Sequence, residues 1–166
     1  KILSIIKTGK NGYYETVQSL NEGEEGEIIL KSTPFYGEKG GQISDRGMIK
    51  RENGAFAVDD CKVPVEGIFT HKGKLSNGKL SEGDEVYAEV DDIFRKNISK
   101  NHTATHILHW ALRTVYGKDV TQAGSFVGNE RFRFDYNIHI TPISENLERI
   151  EKIINEKIQK DDIVRC

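Results

Sequence analysis

The stretch NHTATHILH, residues 101–109, is the part of the chain on which we base the fold assignment. His102, His106 and His109 are spaced by four and then three residues, so on a helix they fall within an arc of about 60°. Apolar residues occupy the opposite face: Ala104, Ile107, Leu108, Ala111 and Val115. The spacing predicts an amphipathic helix that packs by one face and presents histidines on the other.

Two imidazoles at positions i and i+4 can hold one zinc ion from a single helical turn, if other elements complete the coordination. A polar helix face with scattered histidines explains the same spacing without a metal. A metalloprotease is disfavoured, because its helix needs Glu directly after the first His as the general base. Thr103 occupies that position.

The composition narrows the class of protein. The chain has 166 residues and a formal net charge of −2, so any contact with nucleic acid must be local. Its cysteines, Cys61 and Cys166, are too few for a disulfide framework, as expected of a reducing, cytoplasmic setting. Ile2–Ile6 is too short for a leader and no run approaches the ~18 apolar residues of a membrane span. We therefore expect a soluble protein without a membrane span, cut from a longer chain.

Residues 1–90 read as short strands separated by turns rich in Gly and Asn. The predicted strands are Ile2–Ile6, Tyr13–Leu20, Glu27–Lys31, Gly47–Arg51, Ala55–Val65, Gly67–His71 and Glu85–Val90. The predicted breaks are at residues 9–12, 23–26, 53–54, 77–78 and 83–84. This pattern predicts a small β-barrel as the first lobe.

Residues 91–166 show a different pattern, which predicts an α+β lobe. Asp91-Asp92 supplies acidic residues for a helix N-terminus, and the helical period runs to Tyr116-Gly117. Strands are predicted at Val120–Val127 and Arg131–Tyr136, joined by a hairpin turn at Gly128-Asn129. The fold class is therefore α+β, with the histidine helix packed on an antiparallel sheet.

A second helix of about 18 residues is predicted to follow, with Thr141-Pro142 as its cap and first position. Its apolar stripe comprises Leu147, Ile150, Ile154 and Ile158. The chain ends at Cys166, just after the strand-like Ile163-Val164. We expect this lobe to be incomplete at its C-terminus.

The stretch Thr33–Gly47, TPFYGEKGGQISDRG, stands apart from the rest of the first lobe. The adjacent Gly40 and Gly41 let a backbone approach a ligand closely, and the amide of Gln42 can position a water or a carbonyl. Thr33 offers a short hydroxyl. An ordinary Gly-Gly hairpin turn is the competing interpretation.

Taken together, these motifs resemble the editing domain of alanyl-tRNA synthetase. The resemblance rests on TPFY at 33–36, GGQ at 40–42, DRG at 45–47, NHTATH at 101–106, QAGS at 122–125 and RFDY at 133–136. The order of the motifs is that of the family, and they extend over most of the chain. The lobe that carries the histidines is also shared with threonyl-tRNA synthetase.

The resemblance implies hydrolysis of serine or glycine wrongly esterified to the acceptor end of tRNA(Ala). A pocket shaped for alanine excludes a slightly different side chain by only ~1–3 kcal/mol, so a second, hydrolytic site is needed. The parent enzyme would attach alanine to tRNA(Ala) using ATP. Thr33 is implied to bind the serine hydroxyl and Gln42 to orient the water or the ester carbonyl, with Gly40, Gly41 and Tyr36 contacting substrate.

The resemblance also implies a zinc ion held by His102 and His106, which either activates a water or fixes the substrate. The family completes this site with a Cys-x3-His pair downstream of the second helix. This chain lacks that pair, because Val65 lies four residues after Cys61 and nothing follows Cys166. We therefore expect zinc to bind this piece weakly or not at all, with little hydrolytic activity alone.

The other histidines, aromatic residues and charged residues are interpreted as structural or surface residues. His109 is not a family ligand and is interpreted as a surface or cleft residue, and His71 and His139 as surface histidines. Trp110 and Tyr116 are interpreted as packing residues. Arg131, Arg133 and Asp135 are expected to form a local charge network.

Three alternative functions remain open on the sequence. The first is a stand-alone trans-editing hydrolase of the AlaX type. The second is a tRNA-binding module without catalysis or metal, and the third is a metal-stabilised structural domain.

Overall fold

The structure, a computed structural model, describes residues 1–8, 13–138 and 141–161. The chain divides into two compact units, Lys1–Lys96 and Asn97–Cys166. The elements in chain order are β1 (Ile2–Thr8), β2 (Tyr14–Val17), β3 (Ser19–Asn21), β4 (Glu25–Leu30), β5 (Gly47–Arg51), β6 (Gly54–Val65), β7 (Ile68–Ser81), β8 (Tyr87–Val90), α1 (Asp92–Tyr116), β9 (Thr121–Val127), β10 (Phe132–Asn137) and α2 (Ser144–Gln159). The predicted α+β class is confirmed.

The first unit is built on one large antiparallel sheet. The strand order is β2-β1-β4-β7-β6-β5-β8, with β3 paired separately to β7. Apolar residues alternate along the strands, which buries one face of the sheet. The side chains with no exposed surface include Ile5, Leu20, Ile28, Ile49, Phe56, Leu75 and Leu80. This core holds the loop between β4 and β5 that contains the predicted substrate site.

The predicted small barrel is not confirmed. In the described part of the chain, the ordered series of strands ends at β2 on one side and at β8 on the other, and no ladder joins these two ends. Gly83 N donates to the carbonyl oxygen of Ile2 at 3.0 Å, and Ile2 N donates to Asp84 O at 2.8 Å. These bonds attach the turn before β8 to the start of β1 without forming a strand ladder.

The strand at residues 67–71 is much longer than predicted, and the predicted break at Asn77-Gly78 lies inside β7. Gly78 has a positive φ of 72°, and the β6–β7 register shifts between Ala55 and Phe56. A Gly with positive φ is typical of a bulge, which admits an extra residue without ending the strand. The Asn-Gly pair therefore marks a local irregularity instead of a turn.

The second unit contains most of α1, the β9–β10 hairpin and α2. The hairpin is confirmed, and Gly128 N donates to Arg131 O at 2.9 Å in its turn. Its core combines buried residues of both helices, Ala111, Leu112 and Ile150, with the partly buried Phe134 and Tyr136 of β10. This contact confirms that the histidine helix packs on the antiparallel sheet.

The predicted cap of α2 is wrong. The residue preceding the helix is Ile143, with extended backbone (φ −107°, ψ 159°) and no side-chain capping bond, so the helix starts two residues later than Thr141-Pro142 predicts. Ile150 is buried, whereas Leu147 and Ile158 at the two ends of the stripe are exposed. Among the described residues, only the middle of the predicted apolar stripe of α2 is therefore buried.

No helix among the residues that the structure describes has both the length and the apolar character to cross a membrane.

Candidate functional site

The Gly40-Gly41 pair forms the tip of a tight hairpin. Lys39 N donates to Gln42 O at 3.3 Å and Gln42 N donates to Lys39 O at 3.1 Å. Gly40 and Gly41 have φ values of 62° and 84°, and two-residue turns of this hand need positive φ at both central positions. The turn geometry thus accounts for both glycines, and their predicted contact with substrate stays a prediction.

The side chain of Gln42 emerges directly after this turn. It is half-buried, and the isolated bridge between Lys39 and Gln42 fixes its backbone. Within the described residues, the amide group of Gln42 has no hydrogen-bond partner. An amide that is held by its backbone and has free polar atoms can accept or donate to a small polar ligand.

A buried carboxylate stabilises the loop between β4 and β5. Asp45 Oδ2 accepts a hydrogen bond from Tyr36 N at 2.6 Å, and the Asp45 side chain is only 3% exposed. Arg95 donates from Nε to Asp45 Oδ1 at 3.2 Å, forms a second contact to Asp45 Oδ2, and donates to Pro34 O at 2.7 Å. This ion pair fixes both ends of the loop against the start of α1.

Tyr36 makes a structural contact within the loop. Its hydroxyl donates to Lys39 O at 3.0 Å, so the ring spans the hairpin from its base to its tip. The side chain remains partly exposed. Tyr36 therefore supports the shape of the loop, and its predicted contact with substrate stays a prediction.

The prediction that His71 is a surface histidine is wrong. The side chain is completely buried, with 0% of its surface exposed. Its Nε2 lies 2.7 Å from Thr33 Oγ1 and its Nδ1 lies 2.8 Å from Ile28 O. The alternation along β7 is the signal that could have found it, because His71 shares a sheet face with Gly73 and Leu75.

Burial lowers the pKa of His71 below its ordinary value, and the hydrogen bond to Ile28 opposes this only in part. A buried imidazole without a carboxylate partner is more stable in its neutral form. The ring is therefore neutral near pH 7, with one nitrogen as donor and the other as acceptor.

We expect the free energy of unfolding of the chain to fall as pH drops below about 6.5, the ordinary imidazole pKa. His71 then binds a proton in the unfolded chain but stays neutral in the folded one. The free energy of unfolding therefore falls by up to about 1.4 kcal/mol per pH unit, until the pH reaches the lowered pKa of the folded state. Urea unfolding of the wild type and of His71→Gln between about pH 8 and pH 5 measures this contribution. Equal pH slopes in the two proteins would contradict it.

His102 and His106 lie together on an exposed face of α1. Their ring centroids are 5.0 Å apart and the planes are inclined by 24°, as the four-residue spacing predicts. His109 does not join them: its ring lies 5.0 Å from Phe134 and its Nε2 is 3.4 Å from Val120 O. His109 is therefore half-buried toward the core of the second unit, outside the exposed pair.

The donor set of the histidine pair fits part of a zinc site. Two neutral imidazoles from one helical turn supply two of the four ligands of a tetrahedral site. In the ranges 1–8, 13–138 and 141–161, no group of three His, Cys, Asp or Glu side chains is arranged to hold a metal. The described residues thus leave the coordination incomplete.

Cys61 does not complete the site. It is fully buried in the core of the first unit, and burial, with smaller contributions from Asp60 and Asp45, raises the pKa of its thiol to about 12. A thiol that stays protonated is a poor metal ligand. His139 and Cys166 lie outside the described residues.

An open groove of about 440 Å³ runs beside the histidine pair on the second unit. Its lining combines imidazole, indole and cationic side chains: His106, His109, Trp110, Arg113, Thr114 and Lys118. Trp110, predicted as a packing residue, keeps 48% of its surface exposed, whereas Tyr116 packs against the core. Of the predicted charge network, the Arg133–Asp135 pair is present at 3.1 Å.

Thr33 and Gln42 belong to the first unit, and His102 and His106 to the second. Within each unit the predicted residues occupy accessible positions: Thr33 and Gln42 are half-buried and both histidines are exposed. The first unit therefore offers a hydroxyl and an amide to a polar ligand, and the second unit separately offers an imidazole pair.

Comparison with known proteins identifies the family of the chain. The model of the family tRNA synthetases class II (A) matches residues 2–94, more than half of the chain. An alanine–tRNA ligase of Fervidobacterium nodosum is 48% identical over 157 residues, which cover 95% of this chain and 18% of that protein. The alanine–tRNA ligases of Chlamydia trachomatis serovar L2 and Bacillus velezensis are 45% and 42% identical, over 92% and 95% of this chain and 17% of each relative. The chain thus spans about a sixth of the length of these relatives.

Proposed function

Because the chain belongs to the class II (A) tRNA synthetase family, we propose that it is the editing domain of an alanyl-tRNA synthetase. In this proposal it hydrolyses the ester bond of serine or glycine wrongly attached to tRNA(Ala). The rest of the parent protein activates alanine with ATP and attaches it to the acceptor end of the same tRNA. We place this reaction in the cytoplasm, in keeping with the low cysteine content of the chain.

The observation that carries the proposal is the exposed His102–His106 pair, 5.0 Å between ring centroids, on the helix of a chain related to alanine–tRNA ligases. Both side chains are exposed. Imidazoles that do not contribute to packing are available for a ligand or an ion. This exposure allows the pair to contact an ion or a substrate.

We propose that His102 and His106 hold one zinc ion, whose remaining ligands come from the parent protein outside the described residues. When bound, zinc supplies an acidified water or a fixed position for the substrate. Either use is compatible with two imidazole donors. The open groove with Arg113 and Lys118 gives the phosphates of the tRNA acceptor end a site of opposite charge.

The groups of the first unit act on the amino acid ester. We assign Thr33 to the hydroxyl of the misattached serine, and Gln42 to the water or the ester carbonyl through its free amide. Water oxygen attacks the ester carbonyl carbon, the bond from that carbon to the ribose oxygen breaks, and the ribose oxygen takes up a proton. The products are free serine and tRNA(Ala) with an intact terminal hydroxyl.

Alanine is cleaved more slowly than serine because it lacks the hydroxyl that Thr33 binds. A site built to bind that hydroxyl is left with an unpaired polar group when alanine enters, which costs about 1–3 kcal/mol. Gly40, Gly41 and Tyr36 shape the loop from which Gln42 projects, and we propose that substrate lies against this loop.

The test is hydrolysis of seryl-tRNA(Ala), glycyl-tRNA(Ala) and alanyl-tRNA(Ala) by the full-length protein. We expect the seryl ester to be cleaved about 5- to 150-fold faster than the alanyl ester, which corresponds to about 1–3 kcal/mol for one unpaired polar group. Gln42→Ala should slow the seryl reaction without changing tRNA binding. Tight binding of tRNA with no cleavage of any ester would favour the non-catalytic binding module.

A further inference from the structure

A chain of two hydrogen bonds inside the first unit has a fixed direction. It begins at Ile28 O, passes through both ring nitrogens of His71, and ends at the hydroxyl of Thr33. Because a backbone carbonyl can only accept, the contact of 2.8 Å to Ile28 O places the ring proton of His71 on Nδ1. In the neutral ring, Nε2 then has no proton and can only accept.

The direction of the Thr33 hydroxyl follows from this tautomer. Facing a bare Nε2 at 2.7 Å, Thr33 must donate its single proton to His71. At the same time, Phe35 N donates to Thr33 Oγ1 at 3.1 Å. A hydroxyl has one proton and two lone pairs, so Thr33 is left with one lone pair and no proton for a ligand.

The position of the His71 ring does not depend on Thr33. His71 lies directly opposite Ile28 in the β4–β7 ladder, and the ring of Phe35 packs against it edge to face at 5.2 Å and 82°. Burial from all sides lowers the pKa of the ring, which keeps Nε2 free of a proton near neutral pH. Contacts other than the one to Thr33 therefore fix the position of the His71 ring.

We propose that His71 is a positioning residue that makes Thr33 an acceptor only, so that the half-buried Thr33 binds a ligand group that donates a hydrogen bond. Under the proposed function, on which the identity of this ligand rests, the donor is the hydroxyl of serine. Glycine has no such group. The His71–Thr33 pair therefore governs cleavage of the seryl ester and leaves cleavage of the glycyl ester to the other groups of the site.

The first test is independent of any enzymatic activity. Long-range 15N–1H correlation spectra of the 166-residue chain distinguish the two neutral tautomers and the imidazolium, with His71→Gln used to assign the signals. We expect His71 near pH 7 to be neutral with the proton on Nδ1. A proton on Nε2, or a charged ring, overturns the proposal.

The second test uses substrate selectivity in the full-length protein. His71→Leu and Thr33→Val should each slow seryl-tRNA(Ala) hydrolysis by about five- to tenfold, the effect of one hydrogen bond, and change glycyl-tRNA(Ala) hydrolysis by less than about twofold. His71→Gln, which can place an amide oxygen near the position of Nε2, should restore most of the seryl rate. The double variant should be no slower than either single one, because both act through the same bond.

The outcomes separate the two proposals. Equal loss on seryl and glycyl esters in His71→Leu, or additive losses in the double variant, overturns the positioning role. Failure of the wild type to cleave either ester contradicts the proposed function, and the tautomer measurement then decides on the His71–Thr33 arrangement alone. If His71→Leu does not fold, the tautomer measurement tests His71, and Thr33→Val still compares the seryl and glycyl esters.

Discussion

Arg95→Met is expected to lower the free energy of unfolding of the chain by about 3 kcal/mol, the lower end of the range for breaking a buried ion pair. The Asp45 side chain is 3% exposed and Arg95 is 41% exposed. The substitution therefore leaves the buried Asp45 carboxylate without its cationic partner. Asp45 would keep only the Tyr36 N–H among its present donors. Asp45 raises the pKa of Arg95 above its ordinary value, so the guanidinium is charged at any pH of the experiment.

The matched control for Arg95→Met is Lys50→Met. Lys50 pairs with Glu89 at 2.8 Å, but these side chains are 45% and 53% exposed, and exposed pairs contribute about 0–1 kcal/mol. Urea unfolding followed by circular dichroism measures both variants. A loss in Arg95→Met no larger than that in Lys50→Met would show that the Asp45 pair does not hold the loop.

His102→Ala is expected to weaken zinc binding by the full-length protein by more than about 100-fold, since losing even an outer-shell partner of a metal ligand costs about 10- to 100-fold. His106→Ala should have the same effect, because the two rings form one stacked pair. Competition with a chromophoric chelator measures the affinity. The 166-residue chain alone should bind zinc far more weakly than the full-length protein.

His109→Ala is the control for the histidine pair. Its ring faces Phe134, so the substitution should leave zinc affinity within about twofold and affect mainly packing. Equal losses of affinity in His109→Ala and His102→Ala would contradict the assignment of the ligands.

The strand pattern of the first unit could be predicted where local chemistry fixes it. The predicted strand Gly47–Arg51 has its observed bounds, although the turn that follows consists of Glu52 and Asn53, and Gly54 already belongs to β6. The predicted break at Asn77-Gly78 is wrong, because Gly78 has a positive φ and a Gly with positive φ occurs in bulges as well as in turns. Only the partner strand decides between these two uses, and the sequence alone does not place it.

The histidines show the limit of periodicity for site prediction. A four-residue spacing was enough to pair His102 with His106. The same geometry put His109 on the exposed face, but the β10 strand brings Phe134 against its ring. His71 was missed for a related reason: a lone polar residue in a strand is usually exposed, and its partners Thr33 and Ile28 are 38 and 43 residues away.

Single-turnover hydrolysis of seryl-tRNA(Ala) by the full-length protein and by its His102→Ala variant tests the central claim most directly. Attachment of alanine is measured in the same preparations as a check on the rest of the enzyme. We predict that His102→Ala loses nearly all hydrolysis and keeps alanine attachment. Unchanged hydrolysis in His102→Ala, or an inert wild type that binds zinc normally, would contradict the assignment of this chain as an editing domain.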